Sequence, residues 1–429
     1  MIKKVSLLLA IIWSVNSFAQ ENNMSPYSYF GIGDNYQQES VAASSMGGVA
    51  ISSRFSNAAN FSNPAGQSAL KYTNFNVAVN SKFMDIADAK HKQQASTNSL
   101  SYLSLAFPIG KKAGLVIGLQ PNSTVGYAIE EEIFDANDEL IESNSFKGNG
   151  GTNRFFGSFG YQVIEGLSLG LEVDYIFGKT ENNIVNMTKD VSYLTRHQSM
   201  SRLSGASFKL GGQYEKEIKE KITARIGATV QLENSINADS DEYFYNFDYS
   251  AGAAISHDTL IANTNVAGKI TRPMKLGAGL GIGKKNNWFV GMDYTSQQAL
   301  NFDPSIFINN NKIRYEDASS LKFGGFWVPK SNSLTSYWNR VIYKAGFHYD
   351  NTGLAIKTQP TATEYTSIND FGISFGLGLP IGNQLSEINL GFEYGKRGRT
   401  DNGLVQENYY NLRLSLNLVD KWFRKNKID

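Results

Sequence analysis

The 429-residue sequence contains no cysteine, so no disulfide staples it and no lipid-modified cysteine anchors it. Folding must rest on backbone pairing and burial. After the first residues, no run approaches the roughly 18 to 20 consecutive apolar residues that a membrane-spanning helix requires. An excess of either charge is missing as well: 40 Lys and Arg stand against 39 Asp and Glu, a formal balance of +1, so no global field draws the chain to nucleic acid. Gly-rich phosphate loops, Walker motifs and metal-ligand spacings are absent, and no Ser nucleophile motif accompanies the few histidines. The pattern therefore predicts no enzyme, no cofactor and no metal centre.

The N-terminus carries an export signal. Lys3 and Lys4 precede an apolar run from Val5 to Trp13, and Ser17, Phe18 and Ala19 form a small-x-small cleavage site. Residues 1–19 are predicted to be removed, leaving a mature chain that begins at Gln20. The apolar run is too short for an anchor.

What the chain has in quantity is Gly (40), Tyr (22) and Phe (26), arranged with a period of two. From Ile222 to Leu232 the even positions read Ile222, Ala224, Ile226, Ala228, Val230 and Leu232, while Thr223, Arg225, Gly227, Thr229 and Gln231 alternate with them. One face is apolar and the other polar. Leu167, Leu169, Leu171, Val173, Tyr175 and Phe177 repeat the pattern against Ser168, Gly170, Glu172 and Asp174, and it returns in 274–282, 288–294, 388–394 and 410–418. Each run is about the 9 to 11 residues that a tilted membrane strand needs. The alternation predicts an all-β, antiparallel transmembrane barrel of about fourteen strands. They are placed near 73–84, 97–108, 112–128, 152–164, 166–182, 200–216, 221–236, 269–284, 287–300, 317–329, 340–352, 367–380, 385–396 and 406–419. Short turns such as 164–166, 217–220 and 283–286 alternate with long polar segments such as 130–150, 237–268 and 301–316, predicted to be extracellular loops. That rhythm puts both mature termini in the periplasm of an outer membrane. Tyr127, Phe177, Trp288, Tyr294, Tyr394, Tyr410 and Trp422 stand near strand ends, where interfacial girdles are expected. A soluble β-sandwich is the rival, but sandwich strands are usually shorter and lack the long-short loop rhythm.

Residues 20–72 break the alternation and are rich in Ser, Asn, Ala and Gly. They are read as an N-terminal hatch or plug, with a periplasmic leader as the alternative; the barrel is assigned 73–423 and a short basic periplasmic tail 424–429. The run Ala42 to Ala50, containing Met46, Gly47 and Gly48, is followed by Asn57, Ala58 and Ala59 and then by Asn63, Pro64, Ala65 and Gly66. This order resembles the start of the FadL family of outer-membrane transporters for long-chain fatty acids and other hydrophobic compounds. Arg272 to Gly277 and Trp288 to Thr295 also resemble family strands, while Ile388 to Gly398 and the tail at Trp422 and Phe423 resemble a Bacteroidota-type branch. The resemblance implies a fourteen-stranded barrel with a lumenal hatch, and passive uptake of a hydrophobic small molecule with lateral release. Related barrels also serve as accessory subunits of secretion or assembly machines, so a structural barrel docked to an outer-membrane complex partner is the alternative.

A carrier of apolar molecules needs an apolar groove and a few polar groups for a headgroup. The candidates are the apolar-rich segments holding Tyr243, Phe244, Tyr245, Phe247 and Tyr249, and Phe302, Ile306, Phe307 and Ile308. Alternatively these residues extend the strands as a hairpin above the membrane and pack on each other. The expected lumen-facing set is Glu172, Asp174, Arg225, Glu233, Lys275, Asp293, Glu393 and Arg413. Pairing with the hatch is the default for buried charges of mixed sign, and Arg225, Lys275 and Arg413 remain candidates for a carboxylate headgroup. Of the four histidines, His91, His197 and His257 fall in predicted loops, and His348 is predicted to face the lumen two residues before Asp350.

Overall fold

A computed structural model describes residues 23–219, 221–250, 253–302, 313–357, 364–381 and 385–420. The expected signal peptide at 1–19, Ile306, Phe307, Ile308, Trp422, Phe423 and the expected basic tail at 424–429 lie outside these residues. The chain is a closed antiparallel barrel of fourteen strands. In chain order the first six are β1 (Thr73–Ala87), β2 (Lys92–Ile109), β3 (Ala113–Phe134), β4 (Leu140–Ile164), β5 (Leu167–Thr188) and β6 (Leu194–Lys219). Four interrupted strands follow: β7 (Ile222–Gln231 with Asn234–Ser250), β8 (Ala253–Arg272 with Lys275–Lys284), β9 (Trp288–Gln297 with Asn301–Phe302) and β10 (Ile313–Tyr315 with Ala318–Trp327). The last are β11 (Ile342–Ile356), β12 (Thr366–Ile381), β13 (Ser386–Gly398) and β14 (Gln406–Asp420). β14 closes on β1 with Tyr410 opposite Phe83 and Leu414 opposite Val79. Closure leaves no edge in the hydrocarbon, where an unpaired backbone group would find no water.

Alternation sets the two surfaces. Along β5, Leu169, Leu171, Val173 and Tyr175 are exposed on the outside, whereas Ser168, Glu172 and Asp174 are buried toward the bore. Ile226, Leu280, Met292, Phe323, Phe375 and Leu412 continue the outer apolar belt on other strands. Among the described residues no helix is long and apolar enough to cross a membrane. Ile226 is 55% exposed on this belt. Arg in its place is expected to cost roughly 2 to 4 kcal/mol, because a guanidinium at mid-bilayer height loses its water. Urea titration of folding into lipid vesicles measures this, and an unchanged midpoint would reverse the assigned facing.

The segments 130–150 and 237–268 are not loops. β3 and β4 stay paired to Phe134 opposite Leu140, and β7 and β8 run on together to Ser250 opposite Ala253. β4 has 25 residues and β6 has 26, far beyond what a bilayer crossing needs. Along most of this ladder polar residues occupy both faces, so it has backbone pairing without the sustained apolar alternation that marks a membrane strand in sequence. His197 and His257 accordingly sit in strands, on β6 and β8. Glu233 lies in the two-residue break of β7 and is exposed. Pro273, which has no N–H to give a ladder, marks the break of β8.

Candidate functional site in the barrel lumen

The described N-terminal segment, from Asn23 to Tyr72, threads the bore as a chain of short turns rather than as a domain with its own core. Ser40 caps a four-residue helix, Val41–Ser44, by accepting a hydrogen bond from the Ala43 N–H at 3.2 Å. Gly47 and Gly48 follow with φ of +67° and +85°, a backbone that turns the chain back under Met46. Asn63 then caps the 3-10 turn Pro64–Ala69, its side-chain oxygen accepting from the Ala65 N–H at 3.0 Å. The Asn63 amide donates to the Ile51 carbonyl at 2.9 Å and to the wall carbonyl of Gly212 at 3.1 Å. Met46 and Ala65 are fully buried.

Lumen-facing glycines let this backbone approach the wall. A Cβ on Gly346 or Gly324 would strike the Met46 backbone, and one on Gly170 would strike Pro64 and Ala65. The polar wall residues then bond the plug directly. The Asp293 carboxylate accepts from the N–H groups of Ala50 and Ile51, both at 2.7 Å, and the Ser374 hydroxyl accepts from the Gly47 N–H at 2.8 Å. Gln213 donates to the carbonyls of Ile51 at 2.8 Å and Ser53 at 3.0 Å. Glu39 pairs with Lys322, Ser25 donates to Glu407, and Asp34 takes both arms of Arg397 at 2.8 and 2.7 Å. Burial pushes the Asp34 carboxyl upward, but Arg397, aided by Lys82 and Asn23, outweighs it and holds the group below the usual carboxylate range.

Behind the plug sits a network that residue spacing did not reveal. Arg154 is fully buried and reaches Glu172 at 2.8 Å, Asp174 at 3.0 Å and the Gln120 amide oxygen at 2.8 Å, with its guanidinium over the Phe156 ring. Lys209 joins Glu172 at 2.7 Å. These cations lie on β4 and β6, where the strands alternate weakly because glycines and serines occupy much of the inward face.

The sequence-predicted headgroup cations do not converge. Arg225 pairs with Glu215 at 3.4 Å, over the Phe289 ring, and Arg413 pairs with Glu393. Lys275 lines a cavity of about 330 Å³ left between the plug and the wall, with Glu39, Lys209, Arg272, Asp293 and Lys322. Arg413 lines a different cavity, of about 150 Å³. The smaller space is walled mainly by polar groups, whereas the larger mixes these charged groups with Phe30, Ile32, Ile51, Leu300 and Leu354. Tyr243 and Phe244 pair with Ala262 and Ile261 in the β7–β8 ladder, and Phe247 is fully buried beneath Arg196. These three aromatics pack within the hairpin above the membrane. Phe302 is opposite Ile270 at the end of β9.

The protein-family model BamG matches residues 1–429. No curated protein matches the chain. Solved structures share its fold. A toluene transporter of Pseudomonas putida, TodX, superimposes with a TM-score of 0.59 at 15% identity, over 91% of this chain and 100% of that one. The monoaromatic hydrocarbon channel CymD gives 0.56 at 14%, over 91% and 100%. A FadL homologue of Pseudomonas aeruginosa gives 0.55 at 13%, over 88% and 97%. The architecture is thus FadL-like.

Proposed function

Since the chain belongs to the BamG family along its whole length, we propose that it is a non-catalytic outer-membrane barrel serving as a structural accessory subunit of a secretion or assembly complex. In this reading residues 1–19 direct export, residues 20–72 are the hatch, and both mature termini face the periplasm. The observation that carries it is the packing of the bore. The plug is bonded to the wall through its backbone, and Lys, Arg, Asp and Glu side chains stand among the groups that line the space left beside it. An apolar solute entering there would have to strip water from those charges, a cost set against its contacts with the apolar part of the wall. Outside the bore, the ladder of β3 to β8 raises a tall folded surface beyond the bilayer, suited to protein contact.

Passive uptake of hydrophobic small molecules is the second reading, favoured by the likeness to structures titled as toluene transporters and a hydrocarbon channel. Tyr243, Phe244, Phe302 and Phe307 would then form the capture surface, with the buried Phe247 supporting it from beneath and Arg225, Lys275 and Arg413 as headgroup cations.

Depletion in cells separates the two. Uptake of labelled fatty acid and labelled toluene should stay unchanged, while other surface and secreted proteins fall in amount. Loss of uptake with those proteins intact would replace the accessory reading by the transport one.

A further inference from the structure

We propose that the lumen holds a site for one divalent metal ion of the zinc type, built from His348 and Asp350 on β11 and Asp370 on β12. The site is independent of the accessory role and would stand under either reading above.

Strand register builds it. Asp350 and Asp370 are direct cross-strand partners, and both side chains point inward. Like charges placed directly opposite repel, so a pair of carboxylates here requires compensation. The cations on the adjoining strands have other ion-pair partners. Arg397, the cross-strand neighbour of Asp370 on the other side, gives both arms of its guanidinium to Asp34, and Lys322 is held by Glu39. Among the described residues no Lys or Arg ion-pairs with Asp350 or Asp370, and one buried oxygen of Asp350 has no hydrogen-bond partner.

The row beneath supplies the nitrogen. His348 is opposite Gly372, Gly372 is opposite Gly395, and Gly395 is opposite Tyr409. With only hydrogens between them, the imidazole lies over Gly372 and the phenol over Gly395, so that His348 Nε2 and the Tyr409 hydroxyl come within 3.5 Å. His348 is 2% exposed. Its Nε2 is 3.8 Å from an Asp350 oxygen, and one ligand atom from each of the three residues lies within 4.8 Å of the others. A zinc ion bound at about 2.0 to 2.2 Å draws such atoms closer together, a movement open to Asp350 through its unpartnered carboxylate. Tyr409 donates to Asp370 at 2.8 Å and orients that carboxylate, the usual task of a residue behind a metal ligand. Asp350 and Asp370 also line the larger cavity, which gives an ion its path and a water the fourth position. An imidazole beside two carboxylates suits zinc-type ions rather than magnesium or calcium, which take oxygen donors.

The test uses the purified full barrel in detergent, dialysed against Zn2+, in a background where His91, His197 and His257 are replaced by alanine. One equivalent should be retained in this background. His348→Ala and Asp370→Asn should each weaken binding more than about tenfold, and Tyr409→Phe by a smaller factor. Heat-modifiable electrophoretic migration verifies that each variant is folded, and either ligand variant suffices if the other fails. Zn2+ retained equally by a folded His348→Ala or Asp370→Asn variant, or no equivalent retained by the parent, would overturn the site.

Discussion

Arg154→Ala is expected to destabilise the folded barrel by about 3 to 5 kcal/mol, because it strands buried acids rather than merely removing a contact. The guanidinium is the hub of Glu172, Asp174 and Gln120, and neither it nor the carboxylates reach water. Lys209 can still hold Glu172, at 2.7 Å, but Asp174 has no other ion pair among the described residues. Restoring neutrality should recover most of the loss. The triple variant Arg154→Met, Glu172→Gln, Asp174→Asn removes the charges together, and exchanging a buried ion network for neutral groups is often close to neutral in stability. Urea titration of folding into vesicles compares the variants. A loss under about 1 kcal/mol for Arg154→Ala would mean that water reaches the cluster, as it does around exposed ion pairs.

The barrel was legible in the sequence because lipid and lumen impose opposite chemistry on adjacent residues. Leu169 against Ser168, and Ile226 against Arg225, carry that signal, and each of the fourteen strands lies where the alternation put it. The strand tops were not legible. From Glu130 to Gly150 and from Asn237 to Gly268 polar residues stand on both faces, so pairing leaves no sustained period in hydrophobicity. Lumen charges were visible one at a time through their parity, but their partners were not. Arg154, opposite Ile176, reaches diagonally to Asp174 and Glu172 on the neighbouring strand, whereas Asp34 finds Arg397 363 residues away. Spacing also could not show that Arg225, Lys275 and Arg413 would be scattered over different parts of the bore. The abundance of glycine was plain, yet its use was not. Gly346 and Gly170 admit the plug's backbone, and Gly372 and Gly395 make room for two rings to meet. That is a property of register between strands, not of any single strand.

The closed bore is the centre of the account, and conductance in planar bilayers tests it most directly. Asp293, Ser374 and Gln213 bind backbone groups of the plug, and Arg397 and Lys322 bind its carboxylates. Removing residues 23–60 takes away nearly all of these partners while leaving the turn at Asn63 that leads into β1 and every rung of the strand ladder, which is what holds such a barrel together. Water and ions should then fill the vacated space. The intact chain is expected to show no steady conductance, and the shortened chain, once shown to be folded by heat-modifiable migration, a steady current proportional to voltage. Equal conductance of the two would contradict the account, since the segment would then not be what closes the bore.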